Sequence, residues 1–350
     1  MLNALPRAPS PNLFPAADFW HVDSSSGRPL ARFKEWSHFS VLGDCFDLLV
    51  NFSLVHRGEP RPGTIPRLVL LFRDAEGAWD GDVEVFAPEE ASIVAGSPDA
   101  AMGPNSIRFS RGVYHVCVSL SRRDVRLALD LVPAARPLIA DNVRLSETDS
   151  FRWVVVPRLR ANGEAIVSGR RHPVIDAPAY HDRNSGCFSW GGAFAWEWAT
   201  ILPLDPGQPW CLVYSRIVGR HRGAALSQSL LLWRRETLAR KFYARDLSIS
   251  HQGLLGRKCG LCLPRVASLL VPEAADVPQH IHASARGYGD ELSLRMSFSD
   301  FAQIVTPNDR WPGLTSLFEI QGRAEVTGRI GGEHVAFEAR VQAELNHAVG

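Results

Sequence analysis

Ala179-Tyr180-His181-Asp182-Arg183-Asn184-Ser185-Gly186, with Trp190 and then Phe194-Ala195-Trp196-Glu197-Trp198 behind it, lies near the middle of a chain of 350 residues. In an extended strand, side chains alternate between the two faces. Tyr180, Asp182 and Asn184 then share one face, and His181 and Arg183 take the other. Phe194, Trp196 and Trp198 line one face of the following run. A phenol, a carboxyl and an amide beside large aromatic rings can hold an apolar molecule and deliver a proton to it. The alternative is an ordinary amphipathic hairpin whose Tyr and Asp are surface or turn residues.

The rest of the chain has the same texture. Before this stretch, Asp44 to Val55, Arg67 to Phe72, Val83 to Phe86, Ser106 to Phe109, Val113 to Leu120, Val125 to Leu131, Arg152 to Pro157 and Glu164 to Ser168 are short apolar or alternating runs. After it come Trp210 to Val218, Gln228 to Arg234, Leu238 to Tyr243, Val266 to Val271, Gln279 to Ala285, Glu291 to Phe298, Leu317 to Gly328 and His334 to Leu345. Arg126-Leu127-Ala128-Leu129-Asp130-Leu131 alternates cleanly. Turn residues punctuate these runs at short intervals, and one short segment, Ser299 to Val305, reads as helical. Many strands with almost no 3.6-residue period indicate an all-β chain. The strands are too many for one barrel or sandwich. Two consecutive antiparallel β-barrels accommodate them and remove exposed edges. No short-period repeat points to a propeller or solenoid. The expected organisation is an extended, Pro- and Ser-rich arm over residues 1–30, a first barrel over 31–190 and a second over 191–350.

Composition narrows the partners. A hydrophobic content of 45% with 21% charged residues suits a chain that buries real cores. A formal net charge of +1 gives no field to gather nucleic acid. Met1 to Phe14 lacks a charged segment followed by an apolar run and does not read as a signal peptide. The six cysteines, Cys45, Cys117, Cys187, Cys211, Cys259 and Cys262, do not form a disulfide framework, so the chain reads as cytoplasmic with mostly buried thiols. Cys259 and Cys262 with His280 and His282 supply four potential zinc ligands, but their order and spacing match no common zinc finger. The preferred reading is packed thiols and no metal. Val218 to Gly223 lacks P-loop spacing and reads as a turn.

Three features of the sequence resemble the lipocalin-like proteins of the carotenoid 1,2-hydratase and AttH type, which include Diels–Alderase-like cyclases. Glu35-Trp36-Ser37-His38-Phe39 is similar to a Glu-Trp-Trp-Tyr-Phe motif at Glu35, Trp36 and Phe39. The mid-chain stretch is similar to a Tyr-His-Asp-His-Asn-Trp-Gly motif at Tyr180, His181, Asp182, Asn184 and Gly186. It is preceded by Phe151-Arg152-Trp153 and Pro157 and followed by Trp196 and Trp198. The chain also ends on a strand with a closing acid, Phe337 to Glu344. Ser37, His38, Arg183 and Ser185 depart from these patterns.

The resemblance, over residues 33 to 345, implies two tandem lipocalin-like β-barrels with a hydrophobic pocket in or between them. It also implies acid chemistry at Tyr180 and Asp182. The residues themselves suggest how. Burial among aromatic rings disfavours the anion of an Asp and keeps its proton available, while aromatic faces stabilise a developing carbocation. On this reading Asp182 is the acid and Tyr180 a catalytic partner. Asn184, Trp190, Phe194, Trp196, Trp198, His38, Trp36 and Trp153 line the substrate. Glu35 reads as a buried polar contact. Three outcomes are open: hydration or cyclisation of a C=C bond in a polyene or isoprenoid-type molecule, a pericyclic cyclisation, and carriage of a lipid or pigment without chemistry. None needs a cofactor. The implied partner is a hydrophobic small molecule, with peripheral membrane contact as one route to acquiring it.

Overall fold

The structure is a computed structural model, and it describes residues 18–21, 32–57, 63–191, 194–219, 225–256, 259–271, 276–309 and 312–349. The residue 1–30 arm, apart from 18–21, and the turn beyond Gly219 lie outside the described residues.

The chain is all-β, in two tandem lipocalin-like antiparallel barrels. The first sheet holds β1 (Phe33–Leu42), β2 (Phe46–Arg57), β3 (Gly63–Asp74), β4 (Trp79–Val85), β5 (Ala91–Ile93) and β6 (Ala100–Met102). It continues through β7 (Asn105–Ser110), β8 (Val113–Ser119), β9 (Val125–Pro133), β10 (Leu138–Arg144), β11 (Ser150–Val167) and β12 (Arg170–Cys187). The second holds β13 (Phe194–Pro203), β14 (Trp210–Gly219), β15 (Ala225–Arg234), β16 (Thr237–Tyr243) and β17 (Leu247–Leu254). It is completed by β18 (Leu261–Leu263), β19 (Pro278–Gly287), β20 (Asp290–Pro307), β21 (Leu314–Ile330) and β22 (Glu333–Val349).

Both sheets follow one plan. The first strand of each lies beside its last: β1 beside β12, and β13 beside β22. Three strands extend from one side of that seam, β2 to β4 or β14 to β16, and the long hairpin β11–β12 or β21–β22 extends from the other. The cleanly alternating segment forms β9, with Leu127, Leu129 and Leu131 buried and Arg126, Ala128 and Asp130 exposed. Its neighbour β8 buries Tyr114, Val116 and Val118 in step. In the second barrel one core takes alternate residues from successive strands, among them Ile201, Leu212, Leu232, Leu294, Ile320 and Val341. Each such side chain contributes roughly 1.5–3 kcal/mol by leaving water. Gln228 donates to the Ala244 and Leu247 carbonyls, and Arg240 to the Gly287 carbonyl, so side chains stitch the ends of this sheet together.

Three expectations are corrected. Val266 to Val271 is not a strand: Arg265–Leu269 forms a short 3-10 helix after Pro264, with Val266 and Leu269 exposed. Ser299 to Val305 is not helical but part of β20, paired with β21 through a register shift between Phe298 and Asp300. Phe301, Ala302, Ile304 and Val305 are buried on both faces. Such a continuously buried run, which includes Gln303, lacks the period that separates a strand from a buried helix. The thiols are not mostly buried either: Cys211 is, whereas Cys45 and Cys117 are exposed. Cys45 lies in the β1–β2 turn, and Cys117 points outward between the inward Val116 and Val118.

By internal packing the chain divides into two compact units. One comprises the described residues up to Leu70, with Gly81–Ala140 and Arg152–Ser185. The other comprises Leu71–Asp80, Asp141–Phe151 and the described residues from Gly186 onward. Each is treated by itself below.

Candidate active site

In the first unit, β12 lies between β1 and β11, and Asp182 is the convergence point of its outer-facing polar residues. The Tyr180 hydroxyl donates to Asp182 Oδ2 at 2.9 Å, and the Trp153 indole N–H, from β11, donates to the same oxygen at 3.1 Å. The Asn184 amide donates to Oδ1 at 3.0 Å. Strand alternation alone brings Tyr180 and Asn184 to the two sides of Asp182; strand pairing brings Trp153. All four side chains are buried. A carboxyl in this position feels two opposed effects. Burial favours the protonated form, and three donors favour the anion.

His38 on β1 belongs to the same face. Its ring meets the edge of Tyr180 at 6.3 Å between centroids, and its Nε2 is 2.8 Å from Ser40 Oγ. Burial, and secondarily the nearby His181, push the His38 pKa down to about 3, so its imidazole is neutral at physiological pH. Trp36, two residues earlier on the strand, is half-buried. Of the residues expected to form the site, the structure thus brings together Tyr180, Asp182, Asn184, Trp153 and His38.

The opposite face of β12 carries a buried ionic cluster with no counterpart in the sequence reading. His181 stacks on Phe39 with centroids 4.2 Å apart. Its Nδ1 is 2.8 Å from the His38 carbonyl oxygen, and its Nε2 is 3.0 Å from Asp18 Oδ2. Arg183 Nε donates to Asp18 Oδ1 at 2.7 Å, its guanidinium lies 4.2 Å above the Trp20 ring, and the Tyr114 hydroxyl also donates to Asp18. Burial works against the Asp18 anion, but His181 and Arg183 outweigh it and hold the carboxyl well below the usual carboxylate range. Nothing in the local sequence near Asp18 signals this role, because its partners lie on distant strands.

The remaining aromatic candidates, Trp190, Phe194, Trp196 and Trp198, belong to the second unit. Trp190 and Trp196 are 5.4 Å apart, Phe194 stacks on Trp196 at 5.8 Å, and Phe188, which the sequence reading missed, meets all three. The Trp196 indole N–H donates to Glu344, and Glu344 stands directly across from Glu319 in the β21–β22 register. Glu319 is buried and Glu344 half-buried, and desolvation raises the Glu344 pKa. Hydrogen bonds with Glu319 and Trp196 partly offset that desolvation.

Glu35 binds the backbone N–H and Nδ1 of His21, a buried polar contact to backbone as the sequence suggested. The Cys259 thiol donates to the Leu261 carbonyl, and burial pushes its pKa up to about 12. Such a thiol behaves as a small packed group. Among the described residues no three His, Cys, Asp or Glu side chains converge as a metal site.

No protein-family model matches the chain, and no curated protein matches it in sequence. Solved structures do. A putative AttH from Nitrosomonas europaea superposes with a TM-score of 0.63 at 15% identity, over 91% of this chain and 97% of that one. The chain has the AttH fold. Kievitone hydratase from Nectria haematococca matches this chain with a TM-score of 0.59 at 10% identity, over 94% and 96% of the two chains. CghA, crystallised with Sch210972, matches at 0.63 and 12%, over 94% and 95%. A hydratase is therefore among the proteins that share the AttH fold.

Proposed function

We propose that this chain is a cofactor-independent enzyme that protonates a C=C bond of an apolar polyene- or isoprenoid-type small molecule, leading to hydration or cyclisation, with Asp182 as the acid. The observation that carries the proposal is the convergence of Tyr180, Trp153 and Asn184 on one buried carboxyl. The proposal takes Asp182 in its protonated form, the form that burial favours, when substrate arrives. As the proton passes to one alkene carbon, positive charge develops on the other, and the carboxylate left behind is met by three donors already in place. Donors aimed at a charge that appears during the reaction stabilise the transition state without reorganising. Attack by water on the cation, with loss of one water proton back to Asp182, completes a hydration. Attack by a second alkene moves the cation onto that alkene, and loss of an adjacent proton back to Asp182 completes a cyclisation.

Trp153, Trp36 and neutral His38 form the proposed lining around the carboxyl. Trp190, Phe194, Trp196 and Trp198 are proposed as an apolar binding surface of the second unit in its own right. The shared fold of kievitone hydratase supports the hydration branch. A pericyclic reading is less well supported, because the Tyr180 O–H that would polarise a substrate carbonyl is committed to Asp182. Acquisition of the substrate at a membrane surface and a cytoplasmic setting belong to the same proposal.

The test is product analysis by mass after incubation with candidate polyenes. Hydration adds the elements of water, and cyclisation leaves the mass unchanged but alters retention. Recovery of every polyene unchanged would mark the chain as a carrier and overturn the proposal.

A further inference from the structure

We infer that the inner face of the first unit, at Arg183 and Ser37, is a recognition site for the carboxylate group of a small molecule.

Two buried residues there hold donors that nothing among the described residues receives. Arg183 spends Nε on Asp18, yet Nη1 and Nη2 find no acceptor among the described residues although the side chain is 1% exposed. The Ser37 hydroxyl is likewise buried without a partner among the described residues. The two belong together. Phe39 on β1 stacks on His181 of β12, and these strands are neighbours in the sheet. Ser37 lies on the Phe39 face of β1 and Arg183 on the His181 face of β12, so the two share one face of the sheet. Both are also departures from the motifs the chain otherwise resembles, so the donor pair is a property of this sequence.

Chemistry points the same way. A buried guanidinium with open N–H donors is costly, and an accepting anion relieves that cost. The Trp20 ring covers one face of the guanidinium. The planar Nη edge remains as the contact, and it matches the two oxygens of a carboxylate in a fork. An inner-face hydroxyl from Ser37 adds a further donor.

The test measures equilibrium binding to the full chain after long incubation, because the Nη atoms are shut off from solvent. The probes are octanoate, acetate and octylamine. Octanoate is expected to bind and octylamine not. Affinity for octanoate is expected to fall about tenfold in Arg183→Lys, which keeps the charge but loses the fork, and several-fold in Ser37→Ala. Acetate binding as tightly as octanoate assigns the site to a free carboxylate, and weaker acetate binding to one on an apolar chain; both support a carboxylate site. Equal binding of octylamine, octanoate affinity unchanged in both variants, or octanoate located away from Arg183 in a crystal would overturn it. If Arg183→Lys fails to fold, Ser37→Ala and the crystal decide. Asp182→Asn is expected to leave this binding intact, which separates failure here from failure of the proposed reaction.

Discussion

Tyr180 donates its hydroxyl proton to Asp182 Oδ2 at 2.9 Å from a position two residues earlier on the same strand, so strand periodicity alone aligns acid and phenol. On the proposed reaction, Asp182→Asn removes the transferable proton while keeping shape and one acceptor oxygen. Turnover is expected to fall by about 10²-fold or more, with thermal unfolding close to that of the parent. Tyr180→Phe deletes one of three donors and is expected to cost about tenfold. Product formation under single-turnover conditions, alongside a melting curve, checks both variants.

Asp18 joins β8 and β12 through Tyr114, His181 and Arg183. Replacing it with Asn leaves Arg183 buried without its counter-charge and is expected to destabilise the fold by about 3–5 kcal/mol. Because the folded carboxyl is held below its unfolded value, its stabilisation is present above the unfolded pKa near 4 and is lost as pH falls through the folded pKa. Urea titrations of parent and Asp18→Asn at neutral pH and near pH 4 are expected to differ by a similar amount.

His38 gives an earlier pH dependence. Burial holds it neutral, with its pKa lowered from 6.5 to about 3. Below 6.5 the unfolded chain takes up a proton that the folded chain refuses. Stability is therefore lost as pH falls from 6.5 toward 3, with a limiting slope of about 1.4 kcal/mol per pH unit for this group. His56, lowered to about 4, adds to the same window. His38→Gln is expected to flatten part of that slope in chemical-denaturation curves, and an unchanged slope would refute the assignment.

Gly186 closes the central motif for a steric reason. A Cβ there would lie 2.3 Å from the Ser150 carbonyl oxygen and 2.6 Å from the Phe151 Cα. Both obstacles are backbone and cannot swing aside. Gly186→Ala is expected to cost about 3 kcal/mol, read as a lower urea midpoint.

Glu344 shows the opposite sign from Asp18. Its raised pKa means that its contribution is present below the unfolded value of 4.5 and is lost as pH rises through the folded pKa. Glu344→Gln keeps an acceptor for the Trp196 indole without the ionisable group. Its stability relative to the parent is expected to increase with pH in the alkaline direction, and denaturation at two pH values measures it.

What was legible in the sequence is what depends on neighbours along the chain. Alternation in β9 and in Tyr180-His181-Asp182-Arg183-Asn184 is a local, period-two property, and it correctly separated the two faces of β12. Where local pattern is degenerate, as in Phe301 to Val305, the strand was decided by pairing with β21, because a run buried on both sides carries no period. The partners of Asp182 divide the same way: Tyr180 and Asn184 follow from periodicity, whereas Trp153 and His38 arrive through strand pairing. Asp18 is the extreme case. It lies 163 residues before His181 and 165 before Arg183, and only the folded chain makes it their counter-ion. Register, unlike alternation, is set by the summed packing of whole sheets, so the donors and charges that meet across strands were the tertiary structure's to decide.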